Sequence, residues 1–293
     1  MTENTSEEAL IALIQRLRAE PEFYFENCLK IQRFGTGELV PFTLNPVQRI
    51  LHHMMERQLN DLEHVRMIVL KARRFGMSTY VQGRYFRHAA LNKNKVVQIT
   101  THSKAATDVM FSMTRTMEQH LPKEVKPQMK YSGKRELHWG SDGGGLNSSY
   151  SLSTVGGREV RGSKIDYLHC SEVASWGPSG EDFLLGLLNC VVQGFNTEAV
   201  IESTAAGVGG VFHDMFWDAY NGDQVGRQYF SLGISMSTTQ KNSAEKRSES
   251  NSRTVLVKIP DTGVKRSLNS WVWDANTTSG WMTTSILLLP SKT

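Results

Sequence analysis

Four short runs of apolar, largely β-branched residues constrain this chain most: VRMIVLKA (65–72), KVVQIT (95–100), KIDYLHC (164–170) and AVIEST (199–204). Each reads as a buried strand bounded by polar or glycine-bearing turns. Between them lie amphipathic stretches long enough to be crossover helices, at about 78–91, 105–120, 182–192 and 211–220. Strand and helix in alternation predict an α/β fold, a mainly parallel β-sheet with helices on both faces.

Other segments punctuate this rhythm. Leu10, Ile11, Leu13, Ile14 and Leu17 recur at helical spacing behind Glu7 and Glu8, which predicts an N-terminal helical lid or docking segment within 1–40. Pro46 supplies the φ angle of a first helical turn, so a helix is expected over 46–57. RELHWG and SYSLST, joined by the glycine-rich SDGGGLN, predict an inserted hairpin. After Leu232 the alternation stops and the chain becomes rich in Ser, Thr and charge, so 233–293 is read as an irregular tail beyond a domain of 41–232.

Composition excludes more than it assigns. A net charge of +4 permits a polyanionic partner, although the basic residues are dispersed among nearly as many acidic ones. Cys28, Cys170 and Cys190 match neither a disulfide framework nor paired zinc ligands, which points to a reducing cytoplasm. The polar N-terminus and the lack of a long apolar run predict neither secretion nor a membrane span. Cys170 reads as a small core residue, and His169 and His213 have no matching ligands at zinc spacing.

The chemistry concentrates in VRMIVLKARRFGMST, a strand that runs into a glycine turn and then a helix. That is the context of a P-loop, where backbone N–H groups and a helix N-terminus cradle phosphates. The pattern departs from G-x-x-x-x-G-K-[ST]: Met77 stands at the lysine position, and Lys71 stands where the first glycine belongs. The cation is therefore expected from the front of the loop. Arg73 and Arg74 add charge, Gly76 forms the turn, and Ser78, with Thr79 as its neighbour, offers a hydroxyl to Mg²⁺.

Three further positions join it. HCSEVASW ends a strand with Glu172, a carboxylate placed to activate water and to reach Mg²⁺ through a water, while Ser171 stands where P-loop ATPases commonly keep an Asp. Asp166 is the less favoured substitute for that Asp. Ser203, Thr204 and Ala205 close the next strand, where small hydroxyl residues can sense a γ-phosphate. Gln48 in LNPVQ precedes the P-loop and carries the donor and acceptor that an adenine edge requires.

Taken together, FENCLKIQ…GELVPFTLNPVQ, KARRFGMST, HCSEVASW and IESTAAGVGGVFH resemble the ATPase domain of large terminase subunits of tailed bacteriophages and prophages, over about residues 20–230. The resemblance implies a P-loop NTPase that uses ATP and Mg²⁺ to drive double-stranded DNA into a capsid, with a portal protein, a small terminase subunit and a homo-oligomeric ring as partners and no membrane. It implies Gln48 as adenine reader, Lys71, Arg74 and Gly76 to Thr79 as phosphate and Mg²⁺ binders, Glu172 as catalytic carboxylate and Ser203 to Ala205 as the coupling motif. Arg73 is the arginine expected on the γ-phosphate, with Arg158 and Arg161 as alternatives.

Large terminases usually continue into a nuclease domain with clustered carboxylates. Beyond Leu232 the acidic residues are Glu245, Glu249, Asp261 and Asp274, on segments without strand pattern, so nuclease activity is expected to be absent. The abrupt change of composition suggests a frameshift near 230–240, with a natural irregular tail as the alternative. A degenerate prophage remnant that binds nucleotide or DNA without turnover, and a helicase-like translocase, are the competing functions.

Overall fold

The computed structural model describes residues 2–141, 144–157, 164–221, 230–238, 253–258 and 286–288. The expected strands are β3 (Val65–Lys71), β4 (Val96–Thr101), β8 (Tyr167–Ser171) and β9 (Glu198–Ser203), and the helices between them are α4 (Met77–Leu91), α5 (Lys104–Gln119), α6 (Gly180–Cys190) and α7 (Val211–Asn221). Ahead of them come α1 (Thr2–Ala19), α2 (Pro21–Cys28), the small pair β1 (Lys30–Gln32) and β2 (Leu39–Pro41), and α3 (Pro46–Leu62). The hairpin forms as β6 (Glu136–Ser141) and β7 (Gly144–Thr154), with β5 (Met129–Ser132) beside it. Adding β10 (Phe230–Thr238), β11 (Arg253–Lys258) and β12 (Ile286–Leu288), the sheet runs β12-β11-β10-β3-β9-β8-β4-β7-β6-β5.

The six strands from β10 to β7 are mutually parallel, and the hairpin continues one edge antiparallel. Because β3, β8 and β9 point the same way, their C-terminal ends Lys71, Ser171 and Ser203 meet at one rim. Helices cover both faces. Val47, Leu51 and Met55 of α3 share one buried cluster with α4 and α5, whereas Leu184 and Leu187 of α6 join Phe212, Phe216 and Ala219 of α7 in a second. Every residue of α4 is buried except Ser78 and Thr79, at the end that faces the rim. Cys170 lies fully buried in the second cluster, and burial pushes its thiol far above its usual range, which suits a core residue.

Of the two roles expected for the N-terminal helix, lid or docking segment, its contacts describe docking, and one expectation, the boundary at Leu232, is corrected. Arg18 donates to the Leu91 carbonyl, and Arg87 donates to those of Leu17 and Arg18, so the last turn of α1 is pinned to the C-terminal end of α4. That end lies about 20 Å from Ser78 at the helical rise. The boundary at Leu232 falls inside β10, which pairs with β3 as far as Ile234↔Lys71, and β11 and β12 extend the sheet within a tail expected to be irregular. Their runs, TVLV and ILL, are short, but they are apolar and partly β-branched, which is sufficient on an existing sheet edge. The remainder of the tail lies outside the described residues.

A buried ion network ties α3, α4 and β9 together below the rim. Arg84 holds both oxygens of Glu198 at 2.8 Å and also pairs with Glu56, while Tyr80, His52 and His88 pack around them. Burial, more than the neighbouring arginine, depresses both His52 and His88 to about 4. Both histidines therefore fold in the neutral form, and the unfolded chain binds the extra protons as pH falls from about 6.5 towards 4. The stability lost across that window is on the order of 3 kcal/mol for each ring. Burial alone would raise Glu198, but Arg84 outweighs it and holds the carboxyl near about 2, so its contribution fades only at lower pH. The melting temperature is expected to drop steeply between about pH 6.5 and 4.5; a flat profile there would contradict this.

Candidate functional site

The loop between β3 and α4 carries the main features of the site. Gly76 caps α4 with φ +72, and a Cβ there would lie 2.6 Å from Gln48 Nε2, so glycine is required by conformation and by space. No side chain caps this helix end, which leaves its first N–H groups free to meet an anion. Met77, at the position where the P-loop pattern has its lysine, is 1% exposed and packs into the core beneath α4. A lysine there would have to leave that core. Met77 can therefore offer phosphate only its backbone N–H.

Lys71 reaches this helix start from the front of the loop. Lys71 Nζ lies 3.1 Å from Glu172 Oε1 and 3.0 Å from Glu202 Oε2, and it donates to Ser78 Oγ at 3.2 Å. Burial alone would lower this ammonium, but the carboxylates of Glu202 and Glu172 outweigh it and raise Lys71 above its usual range. The lysine is therefore charged at any physiological pH. The front of the β3–α4 loop and the end of β8 thus meet at a single point, although about a hundred residues separate them in the chain.

Glu172 has left-handed backbone, φ 55, at the start of a short 3-10 turn (Val173–Ser175). Its Oε2 accepts from the Thr204 N–H at 3.2 Å and from Thr204 Oγ1 at 3.1 Å, with Ser203 Oγ at 3.5 Å. The expected coupling motif therefore touches the expected catalytic carboxylate directly. Ser203 is buried and accepts from the Ala174 N–H, while Ala205 is exposed. Of the two hydroxyls in the first turn of α4, Ser78 faces the carboxylates, whereas Thr79 Oγ1 is directed at Met113 Sδ of α5.

Gln48 is placed against the loop. Asn45 caps α3 by accepting from the Gln48 N–H, Gln48 Oε1 accepts from the Asn45 N–H, and Gln48 Nε2 donates to the Gly76 carbonyl at 2.8 Å. This reciprocal cap is legible in N-P-V-Q as the spacing of a capping box. The Nε2 end of the amide thus ties α3 to the β3–α4 loop, while the Oε1 end completes the cap of α3. Arg74, with φ 68, lies over the exposed Phe34 ring at 4.8 Å, and Arg73 is exposed on the loop. Arg158 and Arg161 lie outside the described residues. Asp166 does not substitute for the missing Asp: its Oδ2 accepts from the Val96 N–H, and Lys164 pairs with it, at the opposite end of β8 from Glu172.

Sequence reasoning missed Glu202. It lies within β9 at 1% exposure, and its Oε1 accepts from Ser78 Oγ at 2.5 Å, Ser171 Oγ at 2.9 Å and His169 Nε2 at 3.1 Å. A carboxylate inside a wholly buried, β-branched run was the available signal, since such a charge is costly without partners. Beside the loop a cavity of about 420 Å³ is walled by Lys71 to Arg73, by Thr204 and Ala205, and by Phe216, Trp217 and Tyr220 of α7. Among the described residues no three His, Cys, Asp or Glu side chains converge as a closed metal site, and no helix is long and apolar enough to cross a membrane.

No protein-family model matches the chain, and no curated protein matches it in sequence. Among solved structures it is similar to the large terminase of bacteriophage HK97, with a TM-score of 0.56 at 17% identity, over 81% of this chain and 45% of that one. It also matches the large terminase ATPase domain of Thermus phage P74-26, with a TM-score of 0.43 at 13% identity, over 60% of this chain and 70% of that one. The chain spans less than half the length of the HK97 protein. Its mainly parallel sheet with helices on both faces therefore shares the fold of a phage large terminase.

Proposed function

We propose that the chain is the ATP-hydrolysing motor of a phage DNA-packaging terminase, which couples Mg²⁺-dependent hydrolysis to movement of double-stranded DNA into a capsid. The observation that carries this reading is the meeting of Lys71, Ser78 and Glu172 around one point at the free N-terminus of α4. In this reading the triphosphate lies along the N–H groups of Gly76 to Thr79, and Lys71 turns from the carboxylates to the phosphate oxygens. Arg74, Arg73 and the apolar wall of α7 flank the bound nucleotide, with Gln48 behind the loop. Bound Mg²⁺ neutralises charge on the phosphate oxygens.

Once Lys71 has turned away, Glu172 Oε1 is free to orient a water and take its proton. The water oxygen bonds to the γ-phosphorus as the bond from that phosphorus to the bridging oxygen breaks, and ADP departs with the electron pair. Positioning and electrostatics supply most of such a rate. The bonds from Thr204 to Glu172 give the coupling motif a direct means to register loss of the γ-phosphate.

The motor reading is tested with the portal protein and small terminase subunit of the same phage. The purified chain is expected to hydrolyse ATP in Mg²⁺, to associate with the portal, and to bind duplex DNA without sequence preference and with affinity that falls steeply with salt. Strand displacement without portal association would replace packaging with a helicase-like activity. Nucleotide binding without turnover would leave a degenerate remnant.

A further inference from the structure

We propose that Glu202 anchors the divalent cation of this site, taking over from β9 the part for which β8 has only Ser171. The proposal rests on the nucleotide reading above. Ser171 and Glu202 are register partners on adjacent parallel strands, so an acidic group moved from one to the other stays at the same height on the rim. The longer Glu side chain spans the lateral step between strands, which are about 4.8 Å apart. Ser171 has in turn become a donor to it, at 2.9 Å.

The contacts of Glu202 are those that a metal-anchoring carboxylate needs. Oε1 holds Ser78 Oγ, the hydroxyl that fits a metal ligand, at 2.5 Å. His169 Nε2 at 3.1 Å and Ser171 Oγ fix that oxygen from below. Oε2 faces Lys71 Nζ at 3.0 Å, and Glu172 meets the same ammonium from the other side. Two carboxylates and a hydroxyl therefore already surround a positive charge. An all-oxygen set with few protein ligands suits Mg²⁺, which keeps several waters and takes the rest of its shell from phosphate.

A fold-stabilising role does not account for Glu202. A buried ion pair at the centre of a sheet is commonly no more stable than apolar side chains of similar volume. Burial pushes Glu202 up, but Lys71 and then His169 outweigh it and hold the carboxyl well below the usual range. Glu202 acts through Ser78 and through water on the cation, and is a positioning residue.

The test measures Mn²⁺ binding by the full chain with ADP, using electron paramagnetic resonance, together with ADP affinity in EDTA. Glu202→Gln is expected to weaken Mn²⁺ about 10- to 100-fold while changing metal-free ADP affinity no more than about twofold. Ser171→Asp combined with Glu202→Ser is expected to recover most of the Mn²⁺ affinity, because the charge returns to the rim from the neighbouring strand. A folded Glu202→Gln with the parent's Mn²⁺ affinity, or one that loses ADP equally with and without metal, would overturn the proposal. If that variant does not fold, the double variant decides: recovered Mn²⁺ affinity supports the assignment, and lost affinity refutes it. A parent chain that binds ADP under neither condition would instead sink the nucleotide reading, and this proposal with it.

Discussion

Glu172→Gln is expected to bind ATP as the parent does and to hydrolyse it about 10²- to 10⁴-fold more slowly, the usual cost of removing a positioned general base. The amide matches the carboxylate in shape, so the acceptor for Thr204 is kept and the rim is preserved. The group that accepts the proton of water is lost, together with the negative charge that faces Lys71 in the nucleotide-free site. Phosphate release with saturating Mg²⁺ and ATP measures the effect, and nucleotide affinity is followed separately. Turnover within a few-fold of the parent would remove Glu172 from the chemistry. Loss of ATP binding would mean that its pairing with Lys71 holds the loop and does not serve catalysis.

Lys71→Ala is expected to lose both nucleotide binding and stability, for separable reasons. Binding fails because the P-loop has no other lysine: Met77 is committed to the core, and Arg74 is drawn to Phe34. Stability falls because the Glu202 side chain, 1% exposed, loses its countercharge. Breaking a buried pair by removing one partner typically costs about 3 to 5 kcal/mol. The double variant Lys71→Ala with Glu202→Gln removes the stranded charge and is expected to regain most of the stability while still failing to bind ATP. Denaturant unfolding of the parent, both single variants and the double measures this coupling. A Lys71→Ala chain as stable as its parent would show that Glu202 does not depend on the ammonium.

Much of this arrangement is legible in the sequence because it rests on local signals. A β-branched run, a glycine turn and a hydroxyl at a helix start are enough to locate the β3–α4 loop, and the alternation of runs locates β3, β4, β8, β9 and their helices. Order along the chain, with parallel strands implied, is enough to bring Lys71 and Glu172 to one rim.

What the sequence hides is decided by side-chain direction across elements. Met77 looks like a defective P-loop residue until its burial under α4 is seen. Gln48 carries the signature of a cap as well as the hydrogen-bonding edge of a base reader, and only the contact to the Gly76 carbonyl reveals its hold on the loop. Glu202 draws its partners from β3, α4 and β8, at separations no local pattern encodes. The serine at position 171 was itself the clue, since a missing carboxylate invites a search of the adjacent strand.

The central claim is that Lys71 and Glu172 serve one triphosphate, and the most direct measurement is a crystal structure of the chain with Mg²⁺ and a non-hydrolysable ATP analogue. It is expected to show the analogue on the N–H groups of Gly76 to Thr79, Lys71 Nζ moved from Glu172 onto the β- and γ-phosphate oxygens, and Glu172 facing the γ-phosphate across a single water. A triphosphate bound elsewhere, with the Lys71–Glu172 pair still closed at about its present 3.1 Å, would contradict it.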